Sequence, residues 1–207
     1  LIETMEELRA DIIVMTGDMI DRRTDDFTDV FQLVDRIVGI GADVYFVSGN
    51  QEWGNEKMED FFEGLEERNV IILDNKHEQV TFDGVTINLI GVANFSTGHG
   101  DLEKAMAGID KKHYSVLLSH TPTIVNDRQV AVELTLSGHA HGGQVRLPFI
   151  GALVAPDQGF FPELNKGTYA IEDNKYLYVD SGLGTSVLPF RFLNQSQLSL
   201  ITLSAQD

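Results

Sequence analysis

The chain contains the sequence Gly138-His139-Ala140-His141-Gly142-Gly143-Gln144, which follows a short apolar run. Its three glycines predict a tight loop at the end of a buried strand. Two histidines in such a loop, two residues apart, can point both imidazoles at one position outside a sheet, and imidazole is a common ligand of Zn²⁺, Fe and other first-row metals. A polar turn that closes the sheet fits the pair equally well, so other parts of the chain must decide.

Four apolar runs end in the same way, with Gly or Ser followed by a residue that can bind a metal. These four pairs are Gly17-Asp18, Gly49-Asn50, Ser119-His120 and Gly138-His139. Sites in open α/β sheets form outside the carboxyl ends of the strands, so the four pairs are expected to converge. The chain has no cysteine, which excludes thiolate ligands and leaves carboxylate, amide and imidazole groups. The sequence therefore predicts a metal site at these strand ends.

Hydrophobic periodicity predicts a mixed α/β fold in a single domain over residues 1–207. Strand-like apolar runs alternate with helical patterns, and Asp83-Gly84 and Asp173-Asn174 indicate two hairpins. The Gly- and Pro-rich segment 145–166 is expected to form a long loop, and Leu198–Leu203 a late strand. The predicted helical segments are 25–38, 55–68 and 101–108.

The charge of the chain excludes some classes of partner. It has 32 acidic and 15 basic residues, a formal net charge of −17, which repels polyanions, so no nucleic acid partner is expected. No apolar run approaches the ~18 residues of a membrane helix.

The ordered motifs resemble those of the calcineurin-like metallophosphoesterases. They are Gly17 to Asp21 (GDxxD), Gly49-Asn50-Gln51-Glu52, Ser119-His120 and Gly138-His139-Ala140-His141. Gly142 to Pro148 and Gly182 to Ser186, with Leu188-Pro189, resemble a bacterial subgroup often tethered to the membrane. The resemblance implies a two-sheet mixed β-sandwich flanked by helices, in four layers. It also implies a metal-dependent phosphoesterase, most often acting on phosphodiesters through a hydroxide between two metals.

The resemblance also assigns roles to individual residues. Asp18 would bridge two divalent ions (Mn, Fe or Zn), Asn50, His120 and His139 would complete one site, and His141 would bind the other ion. Asn50, Gln144 and Arg146 are the predicted contacts of the substrate phosphate; apart from the resemblance, Arg suits bidentate phosphate recognition, and an equal alternative for Gln144 and Arg146 is that they tie their own loop together.

The chain departs from the family pattern at its start. The family has an Asp-x-His pair on its first strand, and no such pair precedes Gly17. We expect that the first strand and an N-terminal membrane anchor belong to an upstream segment. A true deletion would instead leave at most a mononuclear site. The expected location is the bacterial cytoplasm or the membrane, and the substrate a small-molecule or lipid phosphoester; the sequence does not indicate an oligomeric state.

A second departure lies in the Gly49-Asn50-Gln51-Glu52 motif, where Gln51 occupies the position of the family's general-acid histidine. Glutamine donates a hydrogen bond but cannot deliver a proton near neutral pH. Either Glu52 takes over this role or the general acid is absent. The alternative function is therefore a catalytically impaired sensor or scaffold that binds metal and phosphate.

Overall fold

The computed structural model describes residues 1–126, 130–185 and 190–204. Ser186, Leu188 and Pro189, which belong to one of the motifs above, lie outside this part of the chain. The α-helices are α1 Ile2–Leu8, α2 Thr28–Val38, α3 Asn50–Trp53, α4 Met58–Glu66 and α5 Leu102–Met106. The strands are β1 Ile12–Met15, β2 Asp43–Phe46, β3 Val70–Ile72, β4 Lys76–Phe82, β5 Val85–Val92, β6 Tyr114–Ser119, β7 Leu134–Ser137, β8 Arg146–Leu147, β9 Gly151–Ala152, β10 Val154–Ala155, β11 Gly159–Phe160, β12 Gly167–Glu172 and β13 Lys175–Val179.

The strands form two main sheets. The first is parallel with the order β1-β2-β3, and the second is mixed with the order β12-β13-β7-β6-β5-β4. The predicted hairpins at Asp83-Gly84 and Asp173-Asn174 join the antiparallel pairs β4–β5 and β12–β13. Within the second sheet β5, β6, β7 and β13 run parallel. Their carboxyl ends therefore lie along one edge of the sheet.

The core has an inner layer between the sheets and outer layers under the helices. Tyr45 of the first sheet and Leu73, which directly follows β3, pack with Leu89 and Leu118 of the second sheet. Helices α1, α2 and α4 cover the other face of the first sheet, where Phe46 packs with Phe61. Helix α5 covers part of the opposite face of the second sheet. This arrangement confirms the predicted α/β sandwich of two sheets flanked by helices.

Two segments differ from the sequence prediction. The predicted loop 145–166 contains two short antiparallel hairpins, β8–β9 and β10–β11. The strand predicted at Leu198–Leu203 does not form within the described residues 190–204. This segment is held beside β13 by side chains, since Ser199 Oγ and Gln197 Nε2 both bond the hydroxyl of Tyr178 at 2.7 Å. A strand requires a backbone ladder, which side-chain alternation alone does not supply.

None of the helices in the described residues combines the length and the apolar character needed to cross a bilayer.

Candidate metal centre

The ends of three strands bring Asp18, His120 and His139 together. Asp18 follows β1 of the first sheet, while His120 and His139 follow the adjacent strands β6 and β7 of the second. One potential ligand atom from each residue lies within 4.8 Å of the other two. Nε2 of His120 is 3.2 Å from Oδ2 of Asp18 and 2.8 Å from Nδ1 of His139. The cluster therefore joins the carboxyl ends of both sheets.

In each imidazole, the nitrogen that faces away from the cluster (the far nitrogen) determines the protonation state of the nitrogen that faces it. Nδ1 of His120 lies 2.6 Å from the carbonyl oxygen of Thr16, which can only accept a hydrogen bond. Nε2 of His139 lies 2.9 Å from a carboxylate oxygen of Asp157. When each far nitrogen carries the proton, Nε2 of His120 and Nδ1 of His139 present lone pairs to each other and to Asp18. Three such acceptors around one point fit a cation, so these residues suit a metal ion.

The titration behaviour of the cluster supports this assignment. Burial, together with the charge of His120, lowers the pKa of His139 to about 4, so His139 is neutral and able to bind a metal at neutral pH. Burial acts to lower the pKa of His120, but the hydrogen bond and charge of Asp18 raise it on balance. Burial acts to raise the pKa of Asp18, and the contacts with His120 lower it on balance. Asp18 therefore attracts positive charge to this point, whether a proton or a metal ion supplies it.

Asn50 lies next to this cluster at the start of α3. Its side-chain Oδ1 is buried without a hydrogen-bond partner, an arrangement that costs free energy unless another group binds the oxygen. The next residue, Gln51, donates its backbone N–H to Oδ1 of Asp18 at 2.9 Å. A buried, unsatisfied amide oxygen on the residue next to this contact is the second observation that fits a bound cation.

Two glycines allow the Asp18 and Asn50 loops to approach each other. Gly17 has a φ of +86°, and a Cβ there would lie 2.8 Å from Cα of Gly49. A Cβ at Gly49 would lie 2.7 Å from the backbone nitrogen of Asp18 and would overlap its carboxylate. Only glycine at both positions is compatible with this separation. Gly17 and Gly49 therefore have a steric function, while their neighbours Asp18 and Asn50 supply the candidate ligands.

Three of the predicted ligands have left-handed backbone conformations, with φ of 56° at Asp18, 65° at His139 and 47° at His141. Positive φ is uncommon outside glycine, and such strain concentrates at functional sites. Glycine would remove the backbone strain at these three positions, so the side chains that occupy them are retained for a function.

His141 lies beside the three-residue cluster but is not part of it. Burial and the positive charge of Arg191 lower its pKa, while the negative charge of Asp18 acts in the opposite direction. Arg191 donates a hydrogen bond of 3.3 Å to the His141 carbonyl. The assignment of His141 to a second metal ion stays a prediction.

Glu52 has a different environment from the one a general acid needs. Its side chain is completely buried. Its carboxylate accepts hydrogen bonds from four backbone N–H groups of the two neighbouring loops. These donors are Asp18 at 2.9 Å, Met19 at 2.6 Å, Ile20 at 3.3 Å and Gly49 at 2.8 Å. Glu52 therefore positions the Asp18 and Asn50 loops rather than facing a substrate.

Asp157 is a site residue that sequence reasoning missed. It lies in the turn between β10 and β11, and its carboxylate holds Nε2 of His139. Its position in a loop rich in Gly and Pro, 18 residues after His139, gave no local sign of this contact. A carboxylate on the far nitrogen of a metal-binding histidine fixes the orientation of the ring.

The remaining predicted residues, Gln51, Gln144 and Arg146, contact neighbouring loops of the chain. Gln51 accepts a hydrogen bond of 3.3 Å at its Oε1 from the backbone N–H of Arg22. Gln144 is buried, and its backbone pairs with Phe192. Arg146 donates hydrogen bonds of 2.8 Å to the Gly142 carbonyl and to Oδ1 of Asn165. The Arg146 guanidinium thus holds the segments around Gly142 and Asn165 together. This contact corresponds to the structural alternative for the side chain, as opposed to contact with a substrate phosphate.

A carboxylate and imidazoles at the strand ends of an α/β sandwich define the class of metal-dependent hydrolases. The sequence profile of the calcineurin-like phosphoesterase family matches residues 1–143. The chain belongs to this family of metal-dependent phosphoester hydrolases, which confirms the resemblance found in the sequence.

Similar proteins occur in bacteria and animals. The uncharacterized metallophosphoesterase YkuE of Bacillus subtilis is 28% identical over 215 residues, which cover 100% of this chain and 72% of that protein. A transmembrane protein with metallophosphoesterase domain of Danio rerio is 28% identical over 218 residues, covering 98% of this chain but only 48% of its own length. The chain therefore spans less than half of that relative.

One solved structure supports the fold alone. NAD nucleotidase of Haemophilus influenzae superposes with a TM-score of 0.51 at 17% identity, over 87% of this chain and 42% of that one.

Proposed function

We propose that this chain hydrolyses phosphodiesters at a divalent-metal centre held by Asp18, Asn50, His120 and His139. The observation that carries the proposal is the convergence of Asp18 Oδ2, His120 Nε2 and His139 Nδ1, with distances of 3.2 and 2.8 Å. The membership of the chain in the calcineurin-like family supports the general reaction. The net charge of −17 favours a monoanionic diester over a dianionic monoester, because the acidic chain repels the latter more strongly.

The donor set indicates which cations fit. Oxygen and imidazole ligands suit Mn²⁺, Fe or Zn²⁺. The chemistry that bound cations supply is polarisation of the phosphoryl oxygens and activation of water. The residues of the chain hold and orient these ions: Asp157 and the Thr16 carbonyl fix the imidazoles, and Glu52 fixes the loop of Asp18.

The second ion would be held by Asp18 and His141, with further ligands from an upstream strand. The position of β1 supports this part of the proposal, because β1 is the edge strand of its parallel sheet. Three of its apolar residues, Ile12, Ile13 and Val14, are only half-buried. A strand added beside β1 would cover them and would end next to Asp18. This strand would belong to the same single domain. The proposed membrane anchor would precede the strand in the chain.

Turnover of bis(4-nitrophenyl) phosphate by the encoded full-length protein with Mn²⁺ tests the proposal. We expect activity that is lost in His139→Ala and retained in the matched variant His113→Ala, since the imidazole of His113 pairs with Asp110 just before β6, at the opposite end of this strand from His120. A wild-type protein without turnover, or a His139→Ala variant as active as wild type, would overturn it.

The alternative is a sensor or scaffold that binds metal and phosphate without useful turnover. Gln51 at the general-acid position favours it, because the side chain cannot donate a proton near neutral pH. Calorimetric titration of the Mn²⁺-loaded full-length protein with inorganic phosphate, next to the activity assay, separates the two functions. Phosphate binding without hydrolysis of any ester would establish the alternative.

A further inference from the structure

Four large apolar side chains lie exposed on the two short hairpins. Phe149 and Ile150 lie in the β8–β9 turn, with exposed fractions of 110% and 59%, and Phe160 and Phe161 lie at the end of β11, with 80% and 65%. We call these four residues the hairpin tips, although only Phe149 and Ile150 lie in a turn, while Phe160 and Phe161 lie at the open end of the β10–β11 hairpin. Exposed apolar clusters of this kind are uncommon in soluble proteins unless they contact a partner or a membrane.

The two hairpins form one structure because they share Leu153. The backbone N–H of Leu153 donates a hydrogen bond of 3.0 Å to the carbonyl of Val145, and its carbonyl accepts one of 2.8 Å from Phe161. The hairpin tips are therefore presented together rather than on independent loops.

The charge around the hairpin tips differs from that of the rest of the chain. The two hairpins, residues 146–160, contain two charged residues, Arg146 and Asp157. The guanidinium of Arg146 bonds the Gly142 carbonyl and Oδ1 of Asn165, and the carboxylate of Asp157 bonds His139, so both charges are directed to protein groups. Residues 134–207 hold only six of the 32 acidic and four of the 15 basic residues, so nearly all of the net negative charge lies in residues 1–133. A surface that is apolar and locally uncharged complements a zwitterionic lipid surface, whereas the acidic remainder repels an anionic one.

The hairpin tips are continuous with the metal centre. Asp157, in the turn of the β10–β11 hairpin, lies 2.9 Å from Nε2 of His139. Phe160 is three residues further along the chain, which limits the distance between the two Cα atoms to about 11 Å. Ala152 of the other hairpin lies so close to Gly143 that a Cβ on that glycine would overlap it. A lipid surface contacting the tips would thus bring its head groups near the cluster.

We propose that the hairpin tips insert into a zwitterionic lipid surface and present membrane phosphodiesters to the metal centre. The docking part stands on the tips alone, while the substrate class rests on the proposed hydrolytic function. Aromatic and branched apolar side chains at the tips would lie at the boundary between head groups and acyl chains, where such residues bind peripherally.

Co-sedimentation of the full-length protein with phosphatidylcholine vesicles tests the docking. We expect the vesicle partition coefficient of the double variant Phe149→Ser/Phe160→Ser to fall by at least about tenfold. The free energy of transfer into the lipid is proportional to the apolar area buried there, and the variant removes two phenyl rings from that area. The matched control Val85→Ser/Tyr176→Ser removes two exposed apolar side chains elsewhere and should bind as wild type does. Thermal unfolding of both variants checks that the fold is intact.

A second readout locates the contact. In Phe149→Trp, brominated phosphatidylcholine should quench the new tryptophan, while the wild-type signal from Trp53 serves as the reference. Docking is overturned if the wild-type protein does not bind, if both double variants bind equally, or if about 0.5 M NaCl removes binding, since salt at this level screens charges but not apolar contacts. It is also overturned if sedimentation velocity without vesicles shows the tips pairing two copies of the chain.

The outcomes for docking and hydrolysis are distinguishable. The variant His139→Ala should bind vesicles as wild type does, since His139 is buried and is not one of the four exposed residues. Vesicle binding without turnover of any phosphodiester would overturn the hydrolytic function and leave the docking intact. Turnover of soluble esters without vesicle binding would overturn only the docking.

Discussion

The backbone N–H of Asp18 donates a hydrogen bond of 2.9 Å to the carboxylate of Glu52, although the two residues are 34 positions apart. The same carboxylate accepts the N–H of Gly49 at 2.8 Å. Burial raises the pKa of Glu52, and the charge of Asp18 adds to this effect. A buried acid at this position is therefore kept for its hydrogen bonds, which fix two candidate ligand loops relative to each other.

Replacement of Glu52 by glutamine should weaken both the fold and the metal site. The amide preserves size, but its NH₂ group cannot accept the hydrogen bonds that one carboxylate oxygen receives. We expect Glu52→Gln to lower the free energy of unfolding by about 2–4 kcal/mol, as for other buried polar groups that lose a partner. Urea denaturation and Mn²⁺ titration measure the two effects. The exposed Glu56→Gln is the control, and equal stability of the two variants would contradict this role.

The local part of the site could be predicted from the sequence. His120 and His139 follow adjacent parallel strands of one sheet, whose shared edge brings them together. Asp18 follows a strand of the other sheet, so its place in the cluster also depends on the packing of the two sheets. The apolar runs and the two turn dipeptides likewise predicted the strands and hairpins, since periodicity and turn chemistry act over a few residues.

The features that the sequence did not predict correctly depend on contacts between residues that are distant in the chain. The role of Glu52 arises from a loop that starts 34 positions earlier, and that of Asp157 from a hairpin that folds back over His139. The alternation at Leu198–Leu203 satisfied the strand pattern, but no neighbouring backbone pairs with it in the described residues. No local pattern contains this information.

Asp74 should make the stability of the fold depend on pH. It holds Ser48, two positions before Asn50, by hydrogen bonds of 2.9 Å to the backbone N–H and 2.6 Å to the hydroxyl. Burial raises its pKa above the ordinary value of 3.8, and the Ser48 hydrogen bonds offset this only in part. Because the folded state holds this proton more tightly than the unfolded state, the contribution of Asp74 to stability is greatest below the ordinary pKa and is lost as pH rises through the folded one.

The variant Asp74→Asn isolates that dependence, since asparagine does not ionise. The free energy of unfolding of wild type, minus that of Asp74→Asn, should decrease as pH rises through this range. Urea denaturation at a series of pH values measures the difference, and the exposed Asp60→Asn controls for the loss of one negative charge. A difference that stays constant with pH, or grows, would show that Asp74 does not titrate in this way.

Gln51 should restrict the leaving groups that the enzyme accepts. Its backbone N–H bonds Oδ1 of Asp18 at 2.9 Å, so its side chain starts beside the cluster. A nitrophenolate leaves without a proton, whereas an alkoxide requires one. We expect Gln51→His to raise kcat for alkyl phosphodiesters by about 10²–10⁴-fold and to change aryl esters little, because general acid catalysis has this magnitude. Gln51→Asn, whose amide also cannot deliver a proton near neutral pH, should raise kcat for neither class of ester. Equal gains for alkyl and aryl esters in Gln51→His would contradict the interpretation.

Asp157 should set the affinity of the metal centre through His139. Its carboxylate accepts the proton of Nε2 at 2.9 Å, which leaves Nδ1 facing His120 and Asp18. In Asp157→Ala the ring can rotate or exchange its tautomer, and we expect Mn²⁺ affinity to fall by about 10–100-fold, the usual effect of losing such a partner. Asp157→Asn keeps an acceptor oxygen and should lose less, while Asp173→Ala, at the exposed β12–β13 turn, should bind as wild type does. Titration followed by the electron paramagnetic resonance of free Mn²⁺ gives all three affinities. If the alanine variant binds Mn²⁺ as tightly as the asparagine variant, the carboxylate does not orient the ring, and the left-handed backbone of His139 must do so alone.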